Sequence, residues 1–97
     1  MTTALTLIAT IKALPGHAEA VAAGLQQLVI ASCAEPGCLQ YALHRNQVDA
    51  DQFVMIEQWR DAAALDQHRA APHFLHFTNV FGERLAGIDL IPLQRLA

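Results

Sequence analysis

The chain has 97 residues, a formal charge of -3, and 54% hydrophobic against 15% charged residues, which is enough for one domain over residues 1–97 and leaves no room for separate catalytic and regulatory units. Its six Lys and Arg residues are scattered rather than gathered into a stripe, so nucleic acid is not expected as a partner. No apolar run approaches the ~20 residues needed to cross a bilayer, and the start Met1-Thr2-Thr3-Ala4-Leu5 lacks a basic leader region, so a soluble, cytoplasmic protein with no membrane partner is expected.

In chain order, Leu5 to Ala13 is rich in Thr, Ile and Leu and stops at Pro15-Gly16, which predicts a first strand ended by a turn. Val21, Leu25, Leu28 and Ser32 then recur at helical spacing, predicting an amphipathic helix over Gly16 to Cys33, closed by Pro36-Gly37. Cys33 and Cys38 read as small apolar residues in a reducing compartment, because a Cys-x4-Cys pair has no metal-site spacing. Cys38 to Arg45 alternates, with Leu39, Tyr41 and Leu43 on one face, and Phe53 to Trp59 supplies the second arm of a hairpin. Asp61 is a candidate N-cap for a helix through Arg69. Pro72 starts a further helix whose apolar stripe is Phe74, Phe77, Phe81 and Leu85 and which Gly87 ends. Ile88 to Leu96 reads as a last strand, placed at an edge or a bulge by Pro92.

Strand, helix, strand, strand, helix pair, strand is the ferredoxin-like α+β pattern, a four-stranded antiparallel sheet with helices on one face. Strand one offers Leu5, Leu7 and Ile11 to one side and Ile8 to the other, while strand three offers Phe53 and Met55 against Val54 and Ile56. Both faces therefore want cover. A chain this short buries only roughly 60–65% of its unfolded surface, so a second copy packed on the open face, giving a homodimer, is the simplest way to supply it.

His68, His73 and His76 cluster in one segment, but only His73 and His76 have helical ligand spacing, and no Asp or Glu lies within a turn to complete a set. No metal is expected. A more specific constellation is Glu57-Gln58-Trp59 at the end of strand three with His68 nine positions beyond Trp59. A carboxylate and an indole beside a helical imidazole make a semi-apolar pocket, in which Trp59 stacks on an aromatic ligand and His68 takes a phenolic proton. Glu57 either bonds a buried neighbour or fixes the His68 tautomer. Tyr41, Phe53, Phe74, Phe77 and Phe81 can line the same cavity, although each taken singly fits core packing as well. Nucleophile elbows, phosphate loops and dinucleotide fingerprints are absent from the sequence, so no nucleotide cofactor is indicated.

Ile11-Lys12-Ala13-Leu14-Pro15-Gly16, Glu35-Pro36-Gly37-Cys38-Leu39-Gln40-Tyr41, Leu43-His44, Glu57-Gln58-Trp59-Arg60-Asp61, Ala64-Leu65, His68 and Pro72-His73-Phe74 together resemble the antibiotic biosynthesis monooxygenase domain family, especially its small quinol monooxygenases. The resemblance implies a dimeric α+β barrel that oxygenates a hydroquinone, phenol or anthrone-like substrate with dioxygen and no metal, haem or flavin. By motif position it implies that Trp59 and His68 help form the pocket, with Glu57 and His44 as supporting polar groups; taken with the reading of the residues above, His68, Trp59 and Glu57 are the expected catalytic residues and His44, Tyr41, His73, Phe74 and Phe77 the expected substrate-binding ones. Strand one has no Asn, which separates the chain from relatives that degrade haem. Two other functions fit the same pattern: a non-catalytic small-molecule-binding dimer, and an isomerase of a phosphorylated metabolite that would draw on Arg45, Arg60 and Arg69.

Overall fold

A computed structural model describes residues 4–97 of the chain. Met1, Thr2 and Thr3, part of the segment read above for a leader, lie outside the described residues. The elements are β1 (Leu5–Ala13), α1 (Ala18–Cys33), β2 (Cys38–Arg45), β3 (Gln52–Trp59), α2 (Ala62–Ala70), α3 (Pro72–Phe81), a 3-10 turn (Gly82–Arg84) and β4 (Leu85–Leu93). The sheet is antiparallel in the order β2-β3-β1-β4, which is the expected ferredoxin-like α+β fold. No helix among the described residues is long and apolar enough to cross a membrane.

Strict period-two burial positions everything else. Leu7, Ala9, Ile11 and Ala13 of β1 and Phe53, Met55, Glu57 and Trp59 of β3 are buried on the helix-covered face. Val21, Leu25 and Leu28 of α1 close over them. The helix begins at Ala18 rather than Gly16, because Gly16 takes a φ of 85°, outside the helical region and open to glycine at no steric cost.

Three expectations need correction. Leu39 is 57% exposed rather than facing the core with Tyr41, because the β2–β3 register shifts between Cys38 and Gln40 and throws Leu39 out of the alternation. Leu85 does not extend the stripe of α3, which ends at Phe81. It is the first residue of β4, paired with Ala13, and the Leu14 amide donates to the Arg84 carbonyl at 2.8 Å. Pairing with β1 satisfies this backbone in the sheet, so β4 runs Leu85–Leu93 rather than Ile88 to Leu96.

Pro92 does lie on an edge strand. The sheet's outer face carries an apolar row across all four strands, Ala42, Ile56, Ile8 and Ile91, in register. β4 is bare on both sides: Ile88 and Leu90 on the helix side and Ile91 and Leu93 on the outer side are each more than 40% exposed.

Candidate active site

The alternation of β3 delivers Glu57 and Trp59 side by side to the buried face. Trp59 is fully buried, and its Nε1–H donates to Glu57 Oε1 at 2.9 Å. Burial raises the Glu57 pKa above the ordinary glutamate value, against the Trp59 hydrogen bond and the positive charge of Arg69. A carboxyl group held this way is costly to ionise.

α2 supplies the imidazole. The Asp61 carboxylate caps the helix by accepting from the Ala64 amide at 2.8 Å, and Ala64 and His68, one turn apart, form its buried face. The helix can approach the α1–β2 turn because residue 37 is glycine: a Cβ there would stand 2.3 Å from the Ala64 Cβ. The Arg60 amide locks the seam by donating to the Gly37 carbonyl at 2.8 Å.

That close approach brings Glu35 over the site. His68 Nδ1 lies 2.7 Å from Glu35 Oε2, and His73 Nε2 lies 2.7 Å from the same oxygen. A carboxylate oxygen only accepts, so both ring nitrogens donate, and a neutral His68 then carries its lone pair on Nε2. The His68 ring is 2% exposed and enclosed by Trp59 (4.5 Å between ring centres), Phe74 (5.0 Å) and Tyr41 (5.2 Å). Burial lowers its pKa, with the Glu35 hydrogen bond and charge opposing, so the neutral ring is favoured. Burial, reinforced by the nearby Glu57 charge, raises the Tyr41 pKa and keeps the phenol protonated.

Between sheet and helices lies a cavity of about 160 Å³, walled by Tyr41, Met55, Glu57, Phe74, Phe77 and Leu90 among others. A smaller hollow of about 40 Å³, lined by His68 and Arg69, shares Glu57, Phe74 and Leu90 with it. An apolar space with a buried carboxylate on its wall and an imidazole next door can hold a small aromatic molecule and move a proton from it.

The fold therefore gathers Glu57, Tyr41, Phe74, Phe77, His68 and His73. Trp59 lines neither space; it braces Glu57 and packs on His68. His44 stands apart: it is exposed, pairs across the sheet with Val54 on the opposite face, and has its Nδ1 3.2 Å from the Ala42 carbonyl. The carboxylate on His68 is Glu35, not Glu57, which is engaged by Trp59. In the sequence Glu35 stands out only as the first residue of the Glu35-Pro36-Gly37 motif, because 33 residues separate it from His68 and no local spacing links them. The same three groups, Glu35, His68 and His73, are the described residues able to hold a metal ion together. Of the three arginines an isomerase would draw on, Arg45 pairs with Glu19 and Arg60 with Asp61, which leaves Arg69 at the site.

The antibiotic biosynthesis monooxygenase family matches residues 4–80. The chain belongs to this family. Its structure superposes on that of PA3566 from Pseudomonas aeruginosa with a TM-score of 0.95 at 52% identity, covering 100% of this chain and 98% of that one. It is 35% identical over 79 residues to the probable quinol monooxygenase YgiN of Escherichia coli, covering 71% of this chain and 76% of YgiN. It is also 32% identical over 87 residues to the Synechocystis protein sll1783, covering 90% of this chain but spanning only 59% of that protein's length. Within the family, the matched region takes in every group around the cavity except the β4 side chains.

Proposed function

We propose that the protein is a cofactor-independent monooxygenase of a small quinol, phenol or anthrone-like substrate. The observation that carries this reading is the buried imidazole of His68, its Nδ1 tethered to Glu35, adjoining an apolar cavity whose wall carries Glu57. The aromatic ring of the substrate lies against Phe74 and Phe77, one hydroxyl faces Glu57, and His68 Nε2 takes the acidic proton. The resulting anion gives one electron to dioxygen. Radical and superoxide combine into a peroxide at carbon, and loss of water leaves a carbonyl, with one oxygen atom in the product and one in water. The protein's share is the base, the dry cavity and a fixed geometry. Family membership and the likeness to YgiN support the reaction class.

A second copy of the chain completes the reading. The outer apolar row through Ile8, Ile56 and Ile91, and the exposed Ile88 and Leu90 at the mouth of the cavity, support a homodimer that shields the sheet and closes the pocket.

The test is oxygen uptake in chelator-treated buffer over a panel of hydroquinones. Wild type is expected to consume oxygen, and His68→Gln to lose roughly 100-fold or more of the rate, as expected for removal of a general base. Uptake by wild type no faster than by buffer sinks the enzymatic reading. Thermal stabilisation by quinones without uptake would then assign the cavity to binding alone.

A further inference from the structure

Glu35, His68 and His73 come from three pieces of chain, the α1–β2 turn, α2 and the first turn of α3, yet one ligand atom from each lies within 4.8 Å of the other two. Glu35 Oε2 is the hub, 2.7 Å from both His68 Nδ1 and His73 Nε2. Two imidazole nitrogens and one carboxylate oxygen are the three protein ligands of an open zinc site, where water takes the fourth position. Exposure is graded to suit one. The His68 side chain is 2% exposed, Glu35 13% and His73 26%, so the trio has an inner aromatic wall and an outer side that solvent reaches.

The geometry is near what a cation needs. Neighbouring donors on a tetrahedral zinc with bonds of about 2.0–2.1 Å stand about 3.3 Å apart. Each Glu35–His contact, at 2.7 Å, has to open by roughly half an ångström, with the two imidazole nitrogens, already within 4.8 Å of each other, settling at the same spacing. Side-chain torsions supply movement of that size without moving the helices. A borderline N2O set also prefers zinc to manganese or iron(II).

We propose that Glu35 Oε2, His68 Nδ1 and His73 Nε2 form a zinc site, and that zinc bound there switches off the base of the cavity. In the hydrogen-bonded state both ring nitrogens carry protons directed at Glu35; in the metal-bound state the same nitrogens must be bare. A neutral His68 ligating through Nδ1 carries its remaining proton on Nε2, the atom that accepts the substrate's proton. One set of three atoms thus serves two exclusive states. The site stands on geometry alone, whereas the switching consequence rests on the monooxygenase reading.

Titration of chelator-stripped protein with zinc chloride in a calorimeter decides the site without any substrate. Wild type is expected to take up one zinc per chain. Glu35→Gln and His73→Ala, both folded by circular dichroism, are each expected to weaken binding by at least the roughly 10–100-fold that loss of even a supporting partner costs. His76→Ala should change nothing, since His76 is exposed on α3 and belongs to no part of the trio. No uptake at about 1 mM zinc overturns the site. So does equal weakening by His73→Ala and His76→Ala with none by Glu35→Gln, which would assign the metal to the helix-surface pair. In the oxygen electrode, saturating zinc should abolish wild-type uptake and a chelator should restore it; full uptake with zinc bound overturns the switch. If wild type consumes no oxygen at all, the monooxygenase reading fails and the calorimetry still decides the zinc site.

Discussion

β3 and β4 flank the same central strand and pair with it over most of their length, yet one is buried at every second residue and the other is exposed from Ala86 onward. Their apolar content does not explain this, since Ile88, Leu90, Ile91 and Leu93 are as hydrophobic as anything in β3. Neighbours do. β3 has β2 beside it and the helices over its inner face, while β4 is an edge strand that faces α3 across an open cavity, with Ile88 and Leu90 on its wall. Burial in this fold is thus a property of what lies opposite a strand. The greasy but uncovered β4 is an edge strand of the kind that invites pairing.

Damage to the covered side should have the largest effect. Trp59→Ala removes a fully buried indole, strips Glu57 of its hydrogen-bond donor and unpacks His68. Urea unfolding should show a loss of about 3–5 kcal/mol, and a loss under ~1 kcal/mol would mean that the wall around Glu57 collapses to refill the space. Gly37→Ala should come next. Its Cβ meets Ala64, so α2 must back away from the turn at a cost of about 1–3 kcal/mol, and Glu35 with it loses its hold on His68. The imidazole resonances of His68 in NMR spectra would report that separation; unchanged resonances would show that the seam yields elsewhere.

The uncovered side should respond in kind rather than in size. Ile91→Asp places a charge in the outer apolar row where no helix packs, so the isolated chain should lose little stability, within roughly 0.5 kcal/mol as for an ordinary surface change. For the homodimer proposed above, its mass by light scattering should nevertheless fall from that of two chains to that of one. A variant that still elutes as wild type would mean that the outer row is not where a second copy sits.

Much of this was legible before any coordinates. Period-two alternation in β1 and β3 marked their buried faces residue by residue, and the Val21, Leu25, Leu28 and Ser32 spacing marked the face of α1. Such patterns survive because each position is decided by its own strand or helix. What escaped was set by partners distant along the chain. Leu39 leaves the alternation through a register slip against β3, and Leu85 abandons its helix stripe for a ladder with Ala13. In the site, Glu57, Tyr41, Phe74 and Phe77 could be anticipated because they lie on faces that periodicity defines. Glu35 could not, since its meeting with His68 and His73 depends on a glycine two residues away being small enough to admit a helix.

Ala71 ends α2 and begins α3, accepting from the amides of Phe74 and Leu75 as the second helix starts. A joint one residue long has no slack. Inserting a single residue there would shift the start of α3 against the sheet and carry His73, Phe74 and Phe77 off their positions together. For anyone re-engineering this protein, the cavity walls are open to replacement one side chain at a time, but the length of that corner is a fixed dimension of the machine.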